Sequence, residues 1–148
     1  MIHADAPDGY YDEPRPEVIG CVPLDARDII DVGCASGALG RALKAARPGT
    51  RVRGVELVPA QAERARQVLD DVFQGSADDP LPEHWPPADC VIFADVLEHL
   101  VDPWRTLRHY RKLLKPGGTI VASVPNVANR VVLKGLFQIG RASCRERV

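Results

Sequence analysis

Between Asp28 and Val124, short β-branched apolar runs alternate with longer stretches of mixed polarity, the pattern of βαβ units and a parallel sheet. Asp28-Ile29-Ile30-Asp31-Val32 reads as a buried first strand, and Gly33 to Gly37 as a small-residue turn into a helix over Ala38 to Ala46. Pro48-Gly49 leads into a second strand, Arg51 to Glu56, and Pro59 opens a helix predicted over Ala60 to Leu69. Val72-Phe73-Gln74 is a short third strand. Pro80, Pro82, Pro86 and Pro87 make the following segment a loop, and Asp89 to Ala94, apolar through its centre like a strand covered on both faces, is the fourth. The spacing of Leu107, Tyr110, Arg111 and Leu114 predicts a helix over Trp104 to Leu114, with Trp104 as a packing anchor. Lys115-Pro116-Gly117-Gly118 predicts a type II turn before a fifth strand, Thr119 to Val124, which Pro125 stops. Val127 to Phe137 has the pattern of a further helix. The expected fold is α/β, a Rossmann-like parallel sheet with helices on both faces, two strands short of a seven-stranded sheet.

Length and charge narrow the function classes. The chain has 148 residues, enough for one such domain, and 19 basic against 20 acidic side chains give no reason to expect nucleic acid as a partner. No apolar run approaches the roughly 18 residues of a membrane span, so the expectation is a cytoplasmic protein with no membrane partner. Cysteines 21, 34, 90 and 144 form no CxxC pair or metal spacing and read as reduced thiols. His84 and His109 read as surface residues.

The last residues, Ile139 to Val148 with the sequence IGRASCRERV, resemble the in-frame translation of a common short-read sequencing adapter. The expectation is therefore an N-terminal segment over 1–27, an incomplete domain over 28–137, and a non-native tail over 138–148, with an ordinary polar tail as the alternative. An incomplete sheet would carry an open edge at its fifth strand, unpaired backbone included.

Chemistry enters at the first turn. Asp31-Val32-Gly33-Cys34-Ala35-Ser36-Gly37 joins a strand to a helix through small residues that let the backbone approach a ligand, and free amides at the helix start would favour an anionic group. Glu56 ends the second strand, where a carboxylate can accept both hydroxyls of a ribose. Together they point to an adenosine-containing cofactor. The small residues at 33, 35 and 37 follow a GxGxG-like register rather than the GxGxxG of dinucleotide sites, which disfavours a pyrophosphate grip.

At this point the chain resembles the class I S-adenosylmethionine-dependent methyltransferases, in the style of the type 11, 12 and 23 groups. DVGCASG is similar to their first motif, Glu56 to their second, DCVIFADVLEHL to the fourth-strand motif, and LKPGGTIVASVPN to the turn and strand after it. The resemblance covers about Tyr10 to Phe137. It implies S-adenosyl-L-methionine as cofactor, with Gly33, Cys34, Ala35 and Gly37 holding the methionine part, Asp31 meeting its ammonium, and Glu56 with Leu57 at the ribose. At the adenine the family tends to place an Asp before a small residue. Here Ser76 and Ala77 stand at those positions, with Asp78 as the alternative acceptor, and Ala94 and Asp95 complete the cofactor wall. The family glycine at 35 is Ala.

The loop after the fourth strand, Asp95-Val96-Leu97-Glu98-His99, supplies the groups a methyl transfer to a hydroxyl or amine could use as general base, and His99 and Asp95 are the catalytic candidates. Certain O-methyltransferases of similar sequence bind a divalent metal through an ExxEH pattern. Asp95, Glu98 and His99 are the equivalent set here, against the reading that Glu98 and His99 pair locally and no metal is bound. Tyr10 and Tyr11 could form a lid over the cofactor or belong to a loose arm. Asn126 could line the acceptor pocket or cap a helix. The function these features imply is methyl transfer by in-line displacement to a small-molecule or glycan-like acceptor. The competing readings are a nicotinamide-dependent oxidoreductase and a non-catalytic cofactor-binding remnant.

Overall fold

The structure is a computed structural model that describes residues 14–124. The adapter-like tail, the expected helix over Val127 to Phe137, Asn126 and the Tyr10-Tyr11 segment lie outside the described residues. Five parallel strands form one sheet: β1 (Asp28–Val32), β2 (Arg51–Glu56), β3 (Asp71–Gln74), β4 (Ala88–Ala94) and β5 (Leu114–Ser123), in the order β3-β2-β1-β4-β5. The helices are α1 (Pro16–Ile19), α2 (Ala38–Ala46), α3 (Pro59–Ala65) and α4 (Pro103–Arg111).

Alternation of side chains along each strand divides the core in two. Ile29, Val52, Cys90, Ile92 and Val121 face one side, where they meet Val18, Val22, Leu39, Leu43, Ala62, Ala65 and Leu69 from α1, α2, α3 and their connections. Ile30, Val32, Val55, Val91 and Phe93 face the other, against Tyr110 of α4, with Leu81 and Trp85 of the proline-rich loop. Phe93 and Tyr110 meet edge to face at 5.2 Å. Both faces are covered, which is why β4 is apolar without interruption from Cys90 to Ala94.

Asp28 is not a packing boundary. Val18, Val22 and Ala26 are buried in the first core, and Arg47 at the end of α2 donates to the carbonyls of Pro23, Ile19 and Val22, tying residues 14–27 to the domain. At the opposite end of the sheet from the cofactor motif, Lys115 Nζ bridges Asp28 and Asp89 at 2.9 and 2.8 Å. Asp89 also accepts from the amides of Arg27 and Asp28, and although burial alone would raise its pKa, these bonds hold it down at about 2. Those ion pairs close the lower edge of the sheet.

Several expectations are corrected. Helix α3 ends at Ala65 rather than Leu69, because Asp70 is pulled onto β2: its amide donates to the Val52 carbonyl and its carboxylate accepts from the Val52 amide. Helix α4 begins at Pro103, capped by the Asp102 carboxylate on the Arg105 amide, and ends at Arg111. Leu114 therefore belongs to β5, where it pairs with Ala88, Arg111 is exposed, and Trp104 is no anchor at 69% exposure. Thr106 takes the buried position on that face by bonding the Asp78 carboxylate. The type II turn does not precede β5 but bulges within it: Leu114 pairs with Ala88 and Thr119 with Cys90, so residues 115–118 are looped out, with Gly117 at φ +80°. His84 is exposed as expected, but His109 is half-buried, its ring 5.5 Å from that of Tyr110.

Candidate active site

The chain crosses from β3 at one edge to β4 beside β1, so the strand order reverses between β1 and β4. In open α/β sheets ligands sit outside the carboxyl ends of the strands at such a switch point. Two loops leave the sheet there, Gly33 to Gly37 after β1 and Asp95 to His99 after β4. They touch: a Cβ on Gly33 would lie 2.5 Å from Val96 Cγ2, and the backbone of Gly33 is left-handed at φ +72°.

The Gly33 loop is folded down onto the end of β2. The amides of Gly33 and Cys34 both donate to the Val55 carbonyl, at 2.8 and 3.1 Å, and the Gly37 amide donates to the Cys34 carbonyl. Glu56 then grips the loop from below, with Oε2 accepting from the Ala35 amide at 2.9 Å and Oε1 from the Val58 amide at 2.7 Å. The amides of residues 33, 34, 35 and 37 thus all have partners in the protein. What the loop presents instead is acidic. Glu56 keeps acceptor capacity on both oxygens, and Asp31 is 2% exposed with Oδ2 lacking a hydrogen-bond partner among the described residues. Burial, and secondarily the charge of Glu56, pushes the Asp31 carboxyl up to about 7.

Ala35, where the family has glycine, is held at φ +47°. A left-handed L-residue costs about 1–2 kcal/mol, partly offset by the extra backbone freedom a glycine loses on folding, so Ala35→Gly is expected to raise the stability by up to about 1 kcal/mol, read as a shift of the urea midpoint without a change in slope. Cys34 is buried, and its thiol is pushed well above the usual range by burial and then by the Asp31 and Glu56 charges. Leu57, half exposed, follows Glu56 on the same edge.

Beyond β3, the Ser76 amide donates to Asp79 Oδ2 at 2.7 Å and Ser76 Oγ accepts from the Asp78 amide, while the Asp78 carboxylate is bonded to Thr106 of α4. Ser76, Ala77 and Asp78 therefore form one compact turn beside the Glu56 edge, with Asp78 turned toward α4.

Asp95 follows Ala94, the last residue of β4, with a left-handed backbone at φ +55°. Its Oδ2 accepts from Arg15 Nη1 at 2.8 Å and its Oδ1 from Ser123 Oγ at 2.8 Å. Burial would raise its pKa, but the bonds from Arg15 and Ser123 outweigh that and hold it below the usual carboxylate range. Glu98 and His99 lie in a short 3-10 turn, Leu97–His99, with Nε2 of the exposed His99 3.9 Å from Glu98 Oε1. Asp95, Glu98 and His99 are not gathered, and no group of three or more potential metal ligands is assembled among the described residues. Sequence reasoning missed Arg15 and Ser123, whose partner lies 80 and 28 residues away with no local signal. A cavity of about 260 Å³ lies under the proline-rich loop, lined by Ile30, Trp85, His109 and Leu113, and shares no residue with the Gly33 loop.

The methyltransferase-domain family, type 23, matches residues 13–138. The chain belongs to this family of class I S-adenosylmethionine-dependent methyltransferases. Among curated relatives, the ubiquinone biosynthesis O-methyltransferase of Xylella fastidiosa strain 9a5c is 34% identical over 111 residues, covering 71% of this chain and 44% of the relative. The protein of the same name from Xanthomonas campestris strain B100 is 35% identical over 111 residues, covering 71% and 46%. The chain thus spans less than half the length of these two relatives. Among solved structures, the methyltransferase complexed with the Trm112 activator in Haloferax volcanii has a TM-score of 0.65 at 29% identity, covering 74% of this chain and 50% of that one. A Thermotoga maritima methyltransferase at 23% identity, with a TM-score of 0.65 over 80% of this chain and 53% of its own, shares the fold.

Proposed function

We propose that this domain binds S-adenosyl-L-methionine in the crevice between the Gly33 and Asp95 loops and transfers its methyl group to an oxygen of a small-molecule acceptor. The observation that carries the reading is the pair of carboxylates at the switch point, one orphaned in the interior and one at the end of β2. Asp31 Oδ2, buried without a partner, suits a ligand ammonium, and Glu56, at the tip of β2, suits the two ribose hydroxyls. Against a nicotinamide dinucleotide stands the GxGxG-like register of the small residues at 33, 35 and 37, which disfavours a pyrophosphate grip.

When bound, the cofactor supplies a methyl group on a positively charged sulfur, open to in-line displacement. The chain's own contribution is alignment: Gly33 and Ala35 bring the backbone close, Glu56 orients the sugar, and Ser76, Ala77 and Leu57 border the adenine side. Asp95, engaged by Arg15 and Ser123, holds the wall of the crevice. His99, exposed on the same edge, is the residue free to take a proton from the acceptor hydroxyl. O-methylation is favoured because the curated relatives above are named as O-methyltransferases. No helix among the described residues is long and apolar enough to cross a membrane, and a cytoplasmic site of action is part of the proposal.

Calorimetric titration with S-adenosylhomocysteine, and separately with NADH, tests the cofactor. Binding of the first and not the second is expected. NADH binding alone would sink the methyltransferase reading, and binding of neither would leave the remnant reading standing.

A further inference from the structure

The described residue that reaches the crevice from farthest along the chain is Arg15. It stands just before α1 with a left-handed backbone, φ +50°, and its guanidinium is spent on three partners: Glu17 Oε1 at 2.5 Å, Asp95 Oδ2 at 2.8 Å and Ser123 Oγ at 3.3 Å. The hydrogen bonds to Glu17 and then Asp95 push its pKa well above the ordinary value, so the cation is permanent. Ser123 closes the set, donating to Asp95 Oδ1 and accepting from the Asp95 amide at 3.2 Å. The ends of β4 and β5 and the start of α1 are thereby joined where the Asp95 loop leaves the sheet.

That loop cannot shift alone. Val96, the next residue, has its side chain packed on the backbone of Gly33 with no room for a methyl group between them. The contacts run in series from Arg15 to Asp95, through the peptide bond to Val96, and across to Gly33. Asp95 is also held in a left-handed conformation that an L-residue keeps only when its surroundings enforce it. The fixed cation of Arg15 is one of those enforcing contacts.

We infer that Arg15 is a positioning residue for the cofactor: through its ion pair with Asp95 it sets the separation of the two loops that form the crevice, without touching the cofactor itself. The inference rests on the proposal that S-adenosylmethionine occupies that crevice. It also gives Arg15, which precedes the first strand, a part in the site.

The test is a double-mutant cycle on the full chain, with S-adenosylhomocysteine as the probe and the dissociation constant as the readout. Arg15→Ala and Asp95→Asn are each expected to weaken binding about tenfold, and the double variant to be no weaker than the worse single one. Arg15→Lys, which keeps the charge but loses the fork, is expected to fall between Arg15→Ala and the wild type. The ¹³C carboxyl resonance of Asp95 supplies a readout that loss of packing alone would not move, because its midpoint is expected to rise in Arg15→Ala. Unchanged affinity in Arg15→Ala, or effects that multiply in the double variant, would overturn the inference. Should Arg15→Ala fail to fold, Arg15→Lys and Asp95→Asn make the same comparison: a shared, non-multiplying loss supports it and independent losses overturn it. Failure of the wild type to bind the probe would overturn the cofactor reading itself, which binding by the wild type with an indifferent Arg15→Ala would not.

Discussion

S-adenosylhomocysteine is expected to bind about tenfold more tightly at pH 8 than at pH 6, and binding at pH 6 to release close to one proton. The cause is Asp31. Its carboxyl, buried and shifted up to about 7, is mostly protonated at pH 6, whereas the ammonium it is proposed to meet requires the carboxylate. Between pH 6 and 8 the ionised fraction of a group titrating at about 7 rises roughly tenfold, and affinity should follow it. The same shift has a stability consequence of definite sign. Since the folded-state value lies above the ordinary aspartate value of 3.8, the native state holds the proton more tightly. Without ligand, stability should therefore fall as pH rises from about 4 to 7, by at most about 1.4 kcal/mol per pH unit from this group. Titrations in buffers of different ionisation heat, with Asp31→Asn as control, measure the proton directly. An affinity flat across this range, with no proton released, would remove Asp31 from the ammonium site.

Gly33→Ala is expected to cost about 2–5 kcal/mol of stability and most of the cofactor affinity. A methyl group there sits at φ +72°, which costs an L-residue about 1–2 kcal/mol, and it meets Val96 Cγ2 at 2.5 Å, an overlap of the kind that costs roughly 1–3 kcal/mol when a neighbour must give. Gly33→Ala with Val96→Ala removes the second cost and leaves the first. The double variant should therefore recover a large part of the lost stability in urea unfolding, and no recovery would mean that backbone strain alone accounts for the loss.

The sheet was legible because its signals are local. Asp28–Val32, Ala38–Ala46 and Arg51–Glu56 fall where the sequence pattern predicts them, since each is a run of one period closed by glycine or proline. The errors fall where a distant partner overrides the local pattern. Asp70, just past the predicted helix, pairs with Val52 and draws the chain off the helix early, Leu114 leaves its predicted helix to pair with Ala88, and Trp104 yields the buried side of α4 to Thr106 because Asp78 lies opposite. The site divides in the same way. Gly33, Ala35 and Glu56 announce themselves by spacing, and the contact of Glu56 with the Ala35 amide joins two motifs found separately in the sequence. The pairing of Asp95 with Arg15 and Ser123 arises only when α1, β4 and β5 converge, so a loop read as free acid–base groups turns out to be partly structural.

The buried thiol of Cys34 offers a clock for that loop. Its sulfur lies so close over Gly54 that a methyl group there would come within 2.5 Å of it, and the Asp31 and Glu56 charges add to burial in suppressing the thiolate. Alkylating reagents therefore meet it only when the Gly33 turn lifts off the end of β2, whereas exposed Cys21 reacts without any opening. The lag between the two modifications converts an ordinary labelling time course into the opening frequency of the crevice, and a ligand that bridges Asp31 and Glu56 should slow the second reaction while leaving the first untouched.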